Sequence, residues 1–151
     1  MGFPSRVRHG VDSDPSVKLR NLSDGVETAS AVETAVSLNV NDTAIWANGA
    51  IPFQTAAVVI NVQSIDTTTG DEAYAIQVQV DSDQAFAGSD FTVVGEVDVK
   101  ANGVYVINLD GPTIKSLRTN AKFIRLALVA GGTTPSINYE AWLAPSVGNA
   151  S

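Results

Sequence analysis

The chain has 151 residues, of which 44% are hydrophobic, with no cysteine and a formal net charge of -7. A chain of this length fits one domain that buries roughly 70% of its unfolded surface, and the lack of cysteine excludes disulfides and thiolate metal sites. Residues 21–99 hold twelve of the sixteen carboxylates and no lysine, arginine or histidine, an acidic block that would repel phosphates and disfavours nucleic acid as the main ligand.

The first residues lack the pattern of a folded element. Residues 1–16 combine Gly2, Pro4, Gly10 and Pro15 with mixed charges and are expected to form an extended arm. They contain no continuous apolar stretch of the signal-peptide kind, which predicts synthesis in the cytoplasm without such a signal. Apolar runs elsewhere are far below the roughly 20 residues that span a bilayer, so no membrane partner is expected.

Strand patterns dominate the rest of the chain. Residues 17–22 predict a first weak strand, and 24–33 an irregular segment or a single helical turn. Period-two alternation then recurs, as in Ile76, Val78 and Val80, and places large apolar side chains on one face. It predicts strands at residues 34–40, 43–47, 56–65, 73–80, 91–99, 104–109, 121–130 and 136–144.

Turn residues predict how these strands connect. The loop 66–71 predicts that strands 56–65 and 73–80 pair as an antiparallel hairpin, and Asn102-Gly103 predicts a second hairpin of strands 91–99 and 104–109. Residues 113–120 predict a short helical turn with Ile114 and Leu117 directed inward. About eight short strands indicate an all-β fold, a jelly-roll-like antiparallel β-sandwich over residues 17–145, between the arm and a flexible tail at 146–151.

The strand-and-turn pattern of residues 114–126 and 131–145, together with 75–86, resembles that of bacteriophage capsid cement (head decoration) proteins of short-tailed phages. The likeness covers most of residues 34–145. It implies a structural virion protein on the outside of the head, which binds neighbouring major capsid proteins, stabilises the shell and is commonly a homodimer. It also implies no enzyme activity and no cofactor. We expect a cluster of cations near the N-terminus to anchor the chain on an acidic patch of the shell. The cluster consists of Arg6, Arg8, Lys18 and Arg20.

Three other interpretations stay open. Trp46 and Trp142 could stack sugar rings in a non-catalytic carbohydrate-binding module, although aromatic residues more often bury area. Oxygen ligands for calcium are present around one loop, at Asp81, Asp83 and Asp90, but without the EF-hand spacing. Catalysis is the least supported class, because no positioned nucleophile or base accompanies His9 or the carboxylate pairs Asp71-Glu72 and Glu96/Asp98.

Overall fold

The computed structural model describes residues 18–38 and 55–145. Two one-turn 3-10 helices, Leu22–Asp24 and Ala87–Ser89, lie in loops between the strands. The other elements of these residues are nine strands and one α-helix, in the order β1 Lys18–Arg20, β2 Ala31–Val32, β3 Val36–Ser37, β4 Thr55–Ile65, β5 Ala73–Asp81, β6 Thr92–Asp98, β7 Gly103–Asp110, α1 Gly111–Leu117, β8 Phe123–Gly131 and β9 Ile137–Pro145.

The strands form two antiparallel sheets, which confirms the predicted β-sandwich. The first sheet has the order β1-β9-β4-β7, and the second has the order β2-β8-β5-β6 with β3 also paired to β8. The pairing is nested: the first strand lies beside the last, β2 and β3 beside β8, β4 beside β7, and β5 beside β6. Strands that are distant in sequence are therefore held together along the whole molecule.

The core lies between the two sheets. Alternation along each strand directs every second side chain inward, and these side chains include Ile60 of β4, Ile76 of β5, Leu126 of β8 and Tyr139 of β9, all of them fully buried. Close packing of aliphatic side chains from both sheets gives one continuous core. The predicted one-sided alternation of Ile76, Val78 and Val80 is confirmed, because all three side chains are fully buried in this core.

Both predicted hairpins are wrong. β4 and β5 lie in different sheets, as do β6 and β7, so the loops 66–72 and 99–102 cross the sandwich instead of closing a hairpin. The turn chemistry itself is present, since Gly103 has a φ of 141°. Each long central strand needs two hydrogen-bonded neighbours: β4 takes β9 and β7, and β5 takes β8 and β6. Local turn residues do not encode that choice.

One predicted strand is shorter in the structure: of residues 34–38, the described part of the predicted strand 34–40, only Val36–Ser37 form a strand, β3. The predicted strand 43–47, the arm 1–16 and the tail 146–151 lie outside the described residues. The helical turn predicted within residues 113–120 is present as α1, which begins two residues earlier and ends at Leu117. Its cap is Asp110, whose carboxylate accepts hydrogen bonds from Thr113 N at 3.3 Å and Oγ1 at 2.8 Å. Ile114 is buried as expected, but Leu117 is 52% exposed.

No helix within residues 18–38 and 55–145 combines the length and the apolar character needed to cross a membrane.

Candidate interaction surface

The first sheet carries apolar side chains on its outer face as well as on its inner face. Because Ile60 points into the core, its neighbour Val59 points outward. In the strand register, Val59 lies between Val106 of β7 and Trp142 of β9, and Trp142 lies opposite Lys18 of β1. We call the following six side chains the outer apolar face: Ala57, Val59, Val104, Val106, Trp142 and Ala144.

Burial across the outer apolar face is uneven. Val59, Trp142 and Ala144 form a small cluster separate from the main core and are only 9%, 8% and 1% exposed. Val104 and Val106 are 65% and 45% exposed. The face is therefore closed near β9 and open along β7, where adjacent valines offer apolar area that a partner can remove from water.

A charged rim borders this face on the β1 side. The Lys18 ammonium donates a hydrogen bond to Glu140 Oε1 at 3.0 Å and lies 5.5 Å from the centroid of the Trp142 ring. Glu140 also accepts a hydrogen bond from Asn61 Nδ2 at 3.3 Å. The Trp142 indole nitrogen is buried and has no hydrogen-bond partner among the described residues. An apolar centre with a polar rim is the usual composition of a protein interface.

The outer face of the second sheet combines polar side chains with three exposed valines, Val32, Val93 and Val129. Its side chains form a polar ladder in which Gln77 donates to Glu96 at 2.9 Å, Gln79 donates to Gln77 at 3.1 Å and Arg125 donates to Gln79 at 2.8 Å. The Arg125 guanidinium also lies 4.1 Å from the centroid of the Phe86 ring. These polar groups satisfy one another, and each exposed valine of this face shares its row with one of the polar side chains Gln77, Gln79 and Asp98. Val106 of the first sheet instead continues a fully apolar row, so the outer apolar face is the stronger candidate.

The structure places Arg20 inside the molecule and not on the surface expected from the sequence. Arg20 is 2% exposed and donates hydrogen bonds to Gly25 O at 2.6 Å, Asn138 Oδ1 at 2.9 Å and the carbonyl of Tyr139. The cause is a β-bulge, because Lys18 pairs with Trp142 whereas Arg20, two residues later, pairs with the adjacent Ala141. The bulge turns Arg20 inward and leaves Lys18 outside.

A buried ionic cluster surrounds Arg20. Its guanidinium donates to Glu33 at 3.2 Å and lies 3.6 Å from Glu27 Oε1. Burial, and next the neighbouring Glu27 carboxylate, raise the pKa of Glu33 to about 7. Glu27 Oε1 and the hydroxyl of Tyr139 have no hydrogen-bond partner among the described residues, and burial raises the pKa of Tyr139 well above its usual range. The cluster ties β1 to β9 and to the segment before β3.

The four predicted cations therefore do not form one surface patch in the described part of the chain. Arg6 and Arg8 lie outside the described residues, Lys18 is paired with Glu140, and Arg20 is buried. The prediction missed the outer apolar face. A signal for it is present in the sequence, because residues 104–107 are apolar on both faces of a strand and do not alternate with polar residues.

The three aspartates considered as calcium ligands have other partners. Arg118 forms ion pairs with Asp81 at 2.7 Å and with Asp90 at 3.3 Å, and Asp83 accepts from the backbone N–H of Ala85 at 3.2 Å. Within residues 18–38 and 55–145, no group of three or more histidine, aspartate or glutamate side chains could hold a metal ion. Through Arg118, which follows α1, Asp81 and Asp90 connect the end of β5 and the loop before β6 to the end of this helix.

Of the features considered for sugar binding and catalysis, Trp142 and Asp71 lie within the described residues and have other roles. Trp142 is too buried to present its ring face to a sugar, and Trp46 lies outside the described residues. An open groove of about 470 Å³ at one end of the sandwich includes Tyr74, but that ring is 4% exposed. Asp71 accepts hydrogen bonds from the hydroxyl and the backbone N–H of Thr133, which lower its pKa.

Comparison with family models, with curated proteins and with solved structures finds no match to this chain.

Proposed function

We propose that this chain is a structural virion protein that binds the outside of a phage head and cements neighbouring major capsid proteins. The outer apolar face is the contact surface of this proposal. It would bind an apolar patch of the shell, with Lys18 and Glu140 at its rim. The role is adhesion and not catalysis, and it requires no cofactor. The protein would reside on the outer surface of the virion, with its major capsid protein and a second copy of itself as partners.

One observation carries the proposal: the exposed Val106 continues the row of Trp142 and Val59, two apolar side chains that are buried. The exposed Val104 lies beside Val106 on the same face of β7, opposite Asn61. Burying both side chains against a shell protein would contribute about 3 kcal/mol from the transfer of apolar area. A single contact of this size is weak. Since many identical copies bind only the assembled shell, their combined binding shifts the equilibrium toward assembly.

The fold supports the proposal through its stiffness. The nested pairing of β1 with β9, β4 with β7 and β5 with β6 supports a jelly-roll designation for the sandwich. Two sheets that share one close-packed core resist shear. A rigid body of this kind holds its outer surface in a fixed shape, which suits a protein that links two neighbouring subunits.

Arg6 and Arg8 are proposed as a second, electrostatic contact with an acidic patch of the shell. Deleting residues 1–16 tests this contact without removing β1. We expect the truncated protein to bind heads more weakly than the full chain at low salt and equally at high salt, because screening removes the contribution of exposed charges. Equal binding of the two forms at low salt would contradict a role for Arg6 and Arg8.

Rebinding to stripped heads tests the proposal as a whole. Purified protein is mixed with heads of the phage that encodes the chain, after its own decoration has been removed, and the pelleted particles are analysed for the ratio of this chain to the major capsid protein. We expect saturation at a fixed ratio and a higher temperature of head disruption. Failure to co-sediment at any protein concentration would refute the proposal, and binding to an oligosaccharide array instead would favour the carbohydrate-binding alternative.

A further inference from the structure

Each sheet of the sandwich has two edges, and edge strands of stable monomers are usually protected against pairing with another chain. In the first sheet, the β1 edge has only three residues, two of them cationic, and a bulge between Lys18 and Arg20. In the second sheet, β2 and β3 form an edge of two-residue strands. The opposite edge, β6, carries Glu96 and Asp98 and has its own bulge, since Gly95 and Val93 pair with consecutive residues of β5.

The remaining edge, β7, has none of these protections. Its eight residues, Gly103–Asp110, pair with β4 without a register shift, and no other strand of the described residues pairs with its free side. The strand contains no lysine, arginine, glutamate or proline, and its only charge is Asp110 at the end. Val104 and Val106 project from it and are exposed. An eight-residue regular edge of this composition is suited to adding another strand.

Self-pairing of β7 produces no electrostatic conflict. If two copies pair antiparallel about a two-fold axis at Val106, that residue lies opposite itself, and Val104 lies opposite Asn108 of the second copy. By the same register Asp110 lies opposite Asn102, so no two like charges face each other. Directly opposed apolar side chains stabilise such a pair.

Self-pairing also extends the outer apolar face. Within one copy, Trp142, Val59 and Val106 occupy one row across three strands. Pairing at Val106 joins this row to the same row of the second copy and produces a single apolar band across an eight-stranded sheet. Val106, the most exposed member of each row, then lies at the centre of the band with a second Val106 beside it.

We propose that β7 is the dimerisation edge of this protein and that its occupant is β7 of a second copy, paired antiparallel about Val106. This edge is the contact of the dimer that the proposed function includes. Only the role of the dimer on a shell depends on the proposed function. Dimerisation is a property of the purified chain without heads, so its failure and the failure of head binding are separate results.

Charge-swap variants of Val106 test the proposal by sedimentation. Val106→Lys and Val106→Glu each place two like charges across the two-fold axis, and each variant alone is expected to dimerise about tenfold more weakly or worse than the wild type. An equimolar mixture of the two is expected to recover the dimer, because lysine then faces glutamate. Recovery cannot be produced by misfolded variants, so it separates an interface effect from a folding defect.

A matched control uses the other sheet. Val129 is 47% exposed on the outer face of β8, close to the 45% of Val106, and Val129→Lys should leave the dimer intact. A wild-type chain that sediments as a monomer over the accessible concentration range would overturn the proposal. Dimers that persist in both single Val106 variants, or a mixture that remains monomeric, would overturn it as well.

Discussion

The guanidinium of Arg20 donates a hydrogen bond to the Glu33 carboxylate over 3.2 Å, with side-chain exposures of 1% and 11%. This contact joins the first strand to the segment before β3. It also gathers two carboxylates, Glu27 and Glu33, around one cation. At high pH the cluster therefore has an excess negative charge in a largely buried position.

The cluster predicts a pH dependence of stability. The pKa of Glu33 is raised by burial from 4.5 to about 7, so between these values the folded chain holds a proton that the unfolded chain has lost. The free energy of unfolding should fall as pH rises through this window and level off above it. We expect a loss of about 1 kcal/mol, reduced from the full shift because the carboxyl is partly solvated.

Glu33→Gln removes the titration and keeps an oxygen that can accept from Arg20. Chemical unfolding of the variant between pH 5 and pH 8 should show a smaller decline than the wild type, by about 1 kcal/mol. Parallel pH profiles for the two proteins would contradict this origin of the decline.

A second prediction concerns Arg118, which pairs with a buried and an exposed carboxylate. Asp81 is 3% exposed at its side chain and Asp90 is 81% exposed. Arg118→Ala leaves the Asp81 charge buried without its cation, so the free energy of unfolding should fall by about 3 kcal/mol. Asp90→Ala removes only the exposed partner and should cost less than about 1 kcal/mol. Equal losses in denaturant titrations of the two variants would show that burial does not set the strength of this pair.

A third prediction concerns the contact between the loops 66–72 and 132–136. A Cβ atom at Gly132 would lie 2.5 Å from the Asp71 carbonyl oxygen and 2.6 Å from Glu72 Cα. Gly132 and Gly70 both have positive φ, +99° and +92°, but nothing lies within 4 Å of a Cβ at Gly70. Both alanine substitutions therefore carry the backbone strain of about 1 to 2 kcal/mol, and only Gly132→Ala adds a collision with backbone.

Thermal unfolding distinguishes the two glycine variants. We expect Gly132→Ala to lower stability by roughly 3 kcal/mol or more and Gly70→Ala by about 1 kcal/mol. Indistinguishable melting temperatures would mean that the two loops separate without cost and do not hold this end of the sandwich.

The sequence predicted the long strands well because burial of one face imposes a period of two. Ile76, Val78 and Val80 mark β5 within one residue of its observed end, and residues 121–130 mark β8. The partition of these strands between two sheets was not predictable from the turns. Gly103 permits the tight turn after β6, but the next strand joins β4, which lies 41 residues earlier at the Val62–Gly103 pair. Only the packing of the whole core selects that partner.

The candidate surface was predicted less well for a related reason. Lys18 and Arg20 share a face in a regular strand, and a bulge that the sequence does not reveal separates them. The sequence prediction rested on these charges, whereas the exposed positions of the outer apolar face are Val104 and Val106. The sequence signal for these valines is an apolar run on a strand, which equally predicts a strand covered on both faces. The exposure of Val104 and Val106 could therefore be recognised only after β7 was placed at the edge of a sheet.

Occupancy of stripped phage heads by face variants tests the central claim, that the outer apolar face binds the shell. Val104→Lys places a charge at the most exposed position of the face, opposite an uncharged asparagine in the proposed dimer, so dimerisation should survive. Val129→Lys is the matched control on the other sheet. We expect Val104→Lys to lower head affinity at least about tenfold and Val129→Lys to bind as the wild type does. Undiminished binding of Val104→Lys, or equal loss in both variants, would contradict it.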